Sequence, residues 1–248
     1  MTVLSVNLNK IAWLRNSRGR DYPNVVEFAQ KFYDLGVCGI TVHPRQDERH
    51  ITRQDAIDLG RFAGGLDDCE YNIEGYPSED FMALVENIKP DQCTLVPDTP
   101  DQLTSDHGWD LTTQAEQVRQ TCARLQQAGI RTSIFLDPDL DQVKLVPDTG
   151  TDRIELYTEE FAACYGSTDS DAVFERYRQA AALAQKLDIG VNAGHDLDLV
   201  NLAKFLEIDG VLEVSIGHAL TVESIEQGMP AVVEQYLAIC SGKSFRAI

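Results

Sequence analysis

"NVVEFAQKFYDLGVCGITVH" (residues 24–43) holds one full repeat of the pattern that decides the fold. Its first part, 24–36, places apolar residues at helical spacing and ends in Gly36, a residue suited to the left-handed conformation that closes many helices. Its last part, "GITVH" (39–43), is a short β-branched run typical of a buried strand. The stretch therefore predicts a helix that leads directly into a strand.

Strand-like runs of this kind recur eight times along the chain. They are "LSVNLN" (4–9), "GITVH" (39–43), "YNIEG" (71–75), "CTLVP" (93–97), "TSIFLD" (132–137), "RIELY" (153–157), "GVNAG" (190–194) and "LEVSIG" (212–217). Most intervening segments are long enough for a helix, such as "AEQVRQTCARLQQAG" (115–129) and "DAVFERYRQAAALAQKL" (171–187). Eight such units predict an α/β fold, a (β/α)8 TIM barrel, with 1–248 as a single domain and apolar strands covered by helices. A doubly wound open sheet is the alternative, but no glycine-rich dinucleotide loop follows the first strand.

The composition excludes several classes of partner. The chain has 21 Lys and Arg against 40 Asp and Glu, a net charge of −19, which argues against binding to nucleic acid or to an anionic membrane surface. No run approaches 18 apolar residues, and the start "MTVLSVNLNK" lacks the features of a secretory signal. The six cysteines show no metal-binding spacing, so we expect buried thiols, a cytoplasmic location and no metal site.

A local concentration of cations interrupts this acidic background. The first 53 residues hold eight Lys and Arg and five Asp and Glu, whereas the rest of the chain holds 13 and 35. His43, Arg45, Arg49 and His50 all lie in "HPRQDERHI" (43–51), directly after a predicted strand. Arg45 can form a bidentate pair with phosphate, and His50 can add a donor. The stretch predicts an anion-binding loop, although a solvated loop is the plainer interpretation.

Other polar residues also fall where predicted strands end. In this barrel class the active site lies at that end, where the strand-to-helix loops meet. The residues are Asn7, Asn9, Arg15 and Arg18 for strand 1; His43, Arg45 and His50 for strand 2; Glu74 for strand 3; Glu155 for strand 6; Asn192 and His195 for strand 7; and Gly217 and His218 for strand 8. Burial of Glu74 and Glu155 would be costly without partners, so we expect the cations of strands 1 and 2 to pair with them.

A second anion site is predicted at "SIGHAL" (215–220), where a glycine ends a strand and a helix begins. Two anion sites flanking His43, Glu74 and His195 imply two phosphorylated substrates or one bisphosphate. The longest strand-to-helix loop, "DTPDQLTSDHGWDL" (98–111), is rich in Pro, Asp and Gly and is a candidate lid.

An ordered set of motifs carries a family resemblance. The motifs are "VNLNKIAWLRNSRG" (6–19), "GITVHPRQDERHI" (39–51), "YNIEG" (71–75), "QCTLVPD" (92–98), "VNAGHDL" (191–197) and "VSIGHAL" (214–220). Together they resemble the pyridoxine 5′-phosphate synthase family, from about residue 4 to residue 235. The resemblance implies a cytoplasmic (β/α)8 barrel, commonly octameric, that needs no metal or organic cofactor. The implied reaction condenses 1-deoxy-D-xylulose 5-phosphate with 3-amino-2-oxopropyl phosphate, closes the pyridine ring of vitamin B6 and releases phosphate and water.

The resemblance also implies roles for particular residues. His43 matches the base, Glu74 the strand 3 carboxylate, His195 the proton donor, and Glu155 the carboxylate that stabilises a transition state. Residues matched to the aminoketone phosphate are Asn7, Arg18, Asp196, Gly217 and His218. Residues matched to the deoxyxylulose phosphate are Asn9, Lys10, Arg45, His50 and Thr104. Groups that titrate near neutrality suit the many proton transfers of imine formation, dehydration and ring closure, and closing the long loop would keep water from imine intermediates.

Four positions depart from the pattern of the family. An Asp-His pair after strand 1 is Asn9-Lys10 here, a Gly after the strand 7 histidine is Asp196, and a Gly near strand 6 is Glu159. Lys10 is compatible with a donor role. Asp196 is expected to offer its backbone N–H to a phosphate while its carboxylate points away.

Two alternative functions remain from the residues alone. Another phosphosugar barrel, an isomerase or epimerase, would need one phosphate site, and the cluster at 43–50 counts against it. A catalytically silent metabolite-binding barrel is disfavoured by intact His43, Glu74 and His195. Arg49 has no implied role, so we expect it to pair with Asp47 outside the site.

Overall fold

The eight predicted strands all form, and they close into one barrel. The computed structural model describes residues 1–98, 102 and 105–242. The strands run parallel in the order β1 to β8. Their bounds are β1 Val3–Asn7, β2 Gly39–Val42, β3 Glu70–Gly75, β4 Gln92–Leu95, β5 Arg131–Leu136, β6 Arg153–Tyr157, β7 Gly190–Gly194 and β8 Val211–Ile216. The predicted (β/α)8 TIM barrel is therefore confirmed, and the open sheet is excluded.

Eleven helices lie between and after the strands in the described residues. They are α1 Asn9–Asn16, α2 Val25–Asp34, α3 Arg53–Ala63, α4 Glu79–Ile88, α5 Leu111–Gln127, α6 Leu140–Leu145, α7 Glu159–Cys164, α8 Ser170–Lys186, α9 Leu202–Phe205, α10 His218–Gln227 and α11 Met229–Cys240. A 3₁₀ turn, Val146–Thr149, follows α6. Gly36 and Gly129 follow α2 and α5 with φ of 94° and 81°, as the helix-closing glycines predict.

The barrel closes where β1 pairs with β8. Val3 lies opposite Glu213, and Val6 lies opposite Ile216. This pairing brings the carboxyl ends of the first and last strands side by side. Residues that follow β1 and β8 in sequence therefore meet at one mouth.

The core lies mainly between the barrel and its helices. Alternate strand residues such as Leu4, Val6, Ile40 and Val42 are buried and belong to one apolar cluster with the inner faces of the helices. Burying a large aliphatic side chain of this kind contributes about 1.5–3 kcal/mol. This outer layer therefore supplies most of the apolar burial.

The inside of the barrel is polar, which the expectation of continuously apolar strands did not anticipate. Ser5 and Thr41 share a hydrogen bond of 2.7 Å between their hydroxyl groups. Asn72 Nδ2 donates to Thr41 Oγ1 at 3.4 Å, and Thr94 Oγ1 donates to Asn72 Oδ1 at 3.1 Å. The hydrogen bonds satisfy groups that would otherwise be costly to bury.

The cysteines match the expectation only in part. Cys69, Cys93, Cys122 and Cys240 are buried, whereas Cys38 and Cys164 are partly exposed, and all six are free thiols. In the described part of the chain, no helix combines the length and apolar character needed to cross a membrane.

Candidate active site

A cavity of about 450 Å³ opens at the carboxyl ends of the strands. Residues from the ends of β1, β2, β3, β6, β7 and β8 border it together. Its lining includes the sequence-predicted residues Asn7, Asn9, Lys10, His43, Arg45, His50, Glu74, Glu155, His195, Asp196, Gly217 and His218. The barrel thus brings residues that are far apart in sequence to one site.

His43 and Glu74 face each other in the cavity wall. His43 Nδ1 lies 3.9 Å from Glu74 Oε2, and both side chains are largely buried. Asn7 Nδ2 donates to the same Glu74 oxygen at 3.5 Å. The backbone N–H of His43 donates to Asn9 Oδ1 at 3.0 Å, so α1 fixes the position at which β2 delivers the imidazole.

Burial and charge set the protonation of this pair. Burial, followed by the positive charge of Arg45, lowers the pKa of His43 well below its usual value. Burial, followed by the negative charge of Glu213, raises the pKa of Glu74 to about 8. At neutral pH the site therefore holds an uncharged imidazole, able to accept a proton, beside a largely protonated carboxyl group.

Arg45 is held in the wall by the segment after β4. Its guanidinium forms a buried ion pair with Asp98, and its Nη1 donates to the carbonyl oxygen of Gln102 at 2.9 Å. Ser105 Oγ donates to Asp98 at 2.8 Å. The sequence interpretation missed Asp98, although its position directly after a strand was a usable signal.

His50 is oriented as a hydrogen-bond donor. The backbone N–H of Ile51 donates to His50 Nδ1 at 2.9 Å, so the neutral ring carries its proton on Nε2. Burial, followed by the charge of Arg45, lowers the pKa of His50 to about 4. The ring is therefore neutral at physiological pH.

Arg49 forms the expected pair with Asp47 and also borders the cavity. Arg49 Nε donates to Asp47 Oδ2 at 2.7 Å, which confirms the predicted pair. Its side chain nevertheless borders the cavity, and its Nη1 lies 3.4 Å from the carbonyl oxygen of Gln102. The loop after β2 turns both arginines toward the same carbonyl group. That Arg49 makes no direct contact with the bound substrate stays a prediction.

Glu155 is buried in the floor of the cavity. Its Oε2 lies 3.4 Å from Thr94 Oγ1, a hydroxyl group that also contacts Asn72, so the expected pairing with a cation of strand 1 or 2 is wrong. Burial, followed by the charge of Glu74, raises the pKa of Glu155 well above its usual value. A Cβ at Gly194 would overlap Glu155 Oε1, so a larger residue there would displace this carboxyl group.

His195 and Asp196 lie in an uncommon backbone conformation. Their φ angles are 87° and 58°, a region that residues other than glycine seldom occupy. The single hydroxyl proton of Thr158 is shared between the carbonyl oxygens of Gly194 and His195, and these contacts hold the turn. A glycine at position 196, as in the family pattern, would adopt the same angle without strain.

The amino end of α10 forms another part of the wall. The helix begins at His218, directly after Gly217, as the sequence predicts. A Cβ at Gly217 would lie 2.9 Å from Asn7 Cβ, so glycine is required for this close approach. Unpaired N–H groups at the start of a helix favour bound anions.

The chain matches known proteins over nearly its whole length. Residues 4–242 match the family model described as pyridoxal phosphate biosynthesis protein PdxJ. The chain belongs to the PdxJ family. It is 48% identical over 237 residues to pyridoxine 5′-phosphate synthase of Porphyromonas gingivalis, across 95% of this chain and 98% of that protein. It is 49% identical over 238 residues to the protein of the same name from Flavobacterium johnsoniae, across 96% and 98%.

Solved structures share the barrel with this PdxJ-family chain. The tryptophan synthase α-subunit of Pyrococcus furiosus has a TM-score of 0.63 at 16% identity, across 96% of this chain and 97% of that one. Thiamine phosphate pyrophosphorylase of Pyrococcus furiosus has a TM-score of 0.61 at 12% identity, across 97% and 96%. At these identities the likeness extends to the fold alone.

Two residues singled out by the PdxJ-family resemblance, Arg18 and Glu159, do not border the cavity, and a third, Thr104, lies outside the described residues. Arg18 is exposed beyond α1 and is absent from the cavity wall. Glu159 is the exposed first residue of α7. Thr104 and much of the candidate lid, 99–101 and 103–104, lie outside the described residues. Closure of 98–111 remains a prediction.

Trp109, in the same loop, is buried and donates from Nε1 to the carbonyl oxygen of Leu95 at 2.8 Å.

Glu213, another residue that sequence reasoning missed, lies inside the barrel below Glu155. Arg153 Nη1 lies 3.5 Å from its Oε2, and Asn192 Nδ2 donates to the same oxygen at 3.4 Å. Burial raises its pKa to about 7. Among the described residues, no three His, Cys, Asp or Glu side chains are arranged to hold a metal ion.

We expect Glu213 to make stability fall as pH rises. The folded protein holds the Glu213 proton up to about pH 7, whereas the unfolded chain releases it near pH 4.5. Stability from this group is therefore complete below about pH 4.5 and is lost as pH rises through 7, a change of about 3 kcal/mol. Urea unfolding of the native chain and of Glu213→Gln at several pH values measures it. Parallel pH profiles for the two proteins would contradict the assignment.

Proposed function

We propose that this chain is a pyridoxine 5′-phosphate synthase. In this proposal residues 1–248 act as one barrel domain whose site, at the carboxyl ends of the strands, condenses 1-deoxy-D-xylulose 5-phosphate with 3-amino-2-oxopropyl phosphate. The products are pyridoxine 5′-phosphate, phosphate and water. The observation that carries the proposal is one cavity in which His43, Glu74, Glu155 and His195 lie among two groups of anion-binding donors.

The deoxyxylulose phosphate is assigned to the side of the cavity bordered by α1 and the loop after β2. Arg45 offers a guanidinium, His50 an Nε2–H donor, and Lys10 an ammonium group. Asn9 contributes from the start of α1, and Thr104 is assigned by resemblance alone. Phosphate competes with Asp98 for Arg45, so binding changes the contact that ties Arg45 to the segment after β4.

The aminoketone phosphate is assigned to the side formed by β1, β7 and β8. Gly217 and His218 supply donors at the start of α10, and Asn7 borders the same side. Asp196 contributes its backbone N–H in this assignment. Arg18 is assigned by resemblance, and its exposed position requires a movement or a second copy of the chain to bring it to the ligand.

Proton transfer is assigned to four side chains. His43 is neutral and accepts a proton from the substrate, with Glu74 beside it as a second acceptor once ionised. His195 donates a proton to a leaving oxygen of the substrate. Glu155 stabilises the charge that develops in the transition state. A phosphate dianion at Arg45 offsets the positive potential that lowers the pKa of His43, so substrate binding strengthens this base.

One assay tests the proposed reaction. Purified protein is mixed with both substrates in the presence of EDTA, and near-ultraviolet absorbance of the pyridine ring is followed together with phosphate release. The two signals should rise together and require both substrates. A protein that isomerises one phosphosugar alone, or that binds without turnover, would give neither signal and would refute the proposal.

We expect Arg45→Ala to raise the KM for the deoxyxylulose phosphate by roughly 10- to 100-fold, since a charge-assisted pair of hydrogen bonds is lost. Arg49→Ala is the matched control. Arg49 already pairs with the exposed Asp47, so its replacement should change KM less than about threefold. Steady-state kinetics with the aminoketone phosphate saturating measures both values. A larger increase in KM from Arg49→Ala than from Arg45→Ala would show that the phosphate binds Arg49 instead.

The proposal includes a cytoplasmic homo-oligomer. Six free thiols support a reducing compartment. Exposed Leu14 on α1 and Ile225 on the neighbouring α10 support an apolar contact between copies. The octamer implied by the family resemblance is tested by sedimentation velocity.

A further inference from the structure

Asp196 places a carboxylate in a cavity built to bind anions. It borders the cavity beside His195 and lies next to the start of α10. Its backbone is held in the left-handed region at a φ of 58°, where Asn201 Nδ2 donates to its carbonyl oxygen at 3.2 Å. A strained residue of unfavourable charge needs a specific contact to account for it.

That contact is with the imidazole of His195. Asp196 Oδ2 lies 2.8 Å from His195 Nδ1. The hydrogen bond to His195, together with the charges of His195, His218 and Lys10, lowers the pKa of Asp196, so the carboxylate is ionised and can only accept. The proton of the hydrogen bond therefore sits on Nδ1. Tyr157 packs its ring against the same imidazole at 4.9 Å and 71°, so the ring is restrained on two sides.

Lys10 supplies positive charge that balances this carboxylate. Burial lowers the pKa of Lys10, while the charge of Asp196 opposes that shift. Lys10 Nζ also lies 4.5 Å from the centre of the Trp13 ring, and both residues border the cavity. Lys10 belongs to α1, and Asp196 belongs to the segment after β7. Their opposite charges cancel, so together they add no net charge to the cavity wall.

We propose that Asp196 is a positioning residue that acts through His195, with Lys10 as its compensating charge. The Asp196 carboxylate accepts the Nδ1–H hydrogen bond, which fixes the ring orientation and leaves Nε2 as the nitrogen that exchanges a proton with the substrate. This inference rests on the proposed function, in which His195 is the proton donor. The backbone N–H of Asp196 keeps its assignment to the aminoketone phosphate, and the side chain has this separate role.

Two variants separate these roles. Asp196→Gly keeps the backbone N–H and suits the φ of 58°, so the fold is retained without strain. Asp196→Asn keeps the side-chain volume and removes the charge. We expect both variants to lower kcat at least tenfold, with the KM for the aminoketone phosphate unchanged or lower, and with a thermal midpoint for Asp196→Gly that is not reduced. Unchanged kcat in Asp196→Gly overturns the proposal.

Nitrogen-15 NMR of labelled histidine gives a readout that needs no substrate. The chain has five histidines, and His195→Gln identifies the His195 signals. The native protein should show His195 protonated at Nδ1, and both Asp196 variants should shift this signal. An unshifted signal overturns the proposal even if kcat falls. If the native protein makes no pyridine product, the proposed function fails while the NMR result still decides the Asp196–His195 pair.

A double-mutant cycle tests the Lys10 part. Lys10→Met removes the charge and keeps a long side chain. We expect Lys10→Met to change kcat/KM at least threefold more in the native background than in Asp196→Asn, because its partner charge is absent there. If Lys10→Met changes kcat/KM by the same factor in both backgrounds, Lys10 does not compensate the charge of Asp196.

Discussion

Replacing His43 with alanine is expected to lower kcat by about a thousandfold, within the 10²–10⁴ range typical of a lost general base. The side chain is buried in the cavity wall, 3.9 Å from Glu74, and burial keeps its imidazole neutral. The hydrogen bond from the His43 backbone N–H to Asn9 Oδ1 fixes the position of this imidazole. Rapid-quench or absorbance assays of pyridine formation measure the loss.

Stability separates this effect from damage to the fold. His43 is uncharged and its backbone N–H contact with Asn9 survives in His43→Ala, so circular dichroism should remain native and the thermal midpoint should change little. Retention of more than about a tenth of native kcat would remove His43 from the mechanism.

Replacing Glu74 with glutamine is expected to lower kcat by roughly 10²- to 10⁴-fold and to remove a pH dependence. With its pKa raised to about 8, Glu74 is mostly protonated at neutral pH. As a base it must be ionised, so kcat/KM of the native protein should rise about tenfold per pH unit below 8 and level off above it. The glutamine variant has no such ionisation and should give a flat profile in this window.

An exposed carboxylate provides the matched control. Glu226 on α10 is exposed and does not border the cavity, so Glu226→Gln should keep native kcat and the native pH profile. A rise through pH 8 that persists in Glu74→Gln would assign the ionisation to another group. A fall in kcat/KM through pH 8 in the native protein would make Glu74 an acid in the rate-limiting step.

The sequence predicted the fold well because the strand signal is local. Runs such as "RIELY" and "GVNAG" bound their strands to within a few residues, and eight of them leave little choice of architecture. The first strand was drawn too long. Apolar residues alternate through Leu8, yet Leu8 has φ −87° and ψ 3°, and Asn7 Oδ1 accepts from the backbone N–H of Asn9. The Asn7 side chain therefore ends the strand, although the apolar alternation in the sequence continues through Leu8.

The candidate site was predictable only where position along a strand suffices. His43 and Glu155 were found because strand ends meet at one mouth. Asp98 and Glu213 were missed because their roles depend on contacts with residues of other strands and loops. The sequence of a single strand does not show which side chains lie close to it across the barrel. Arg18 follows α1, and the direction in which that helix leaves the barrel decides that its side chain is exposed.

The pairing of β1 with β8 has a consequence for synthesis of the chain. Val3 and Glu213 are 210 positions apart, so β1 emerges from the ribosome roughly 10–40 s before its partner. During that interval β1 has an open edge, the kind of edge that invites aggregation. Its inner face carries the hydroxyl group of Ser5, which contacts Thr41 on β2. Until β8 is made, the inner face of β1 therefore presents a hydrogen-bonding hydroxyl group at Ser5.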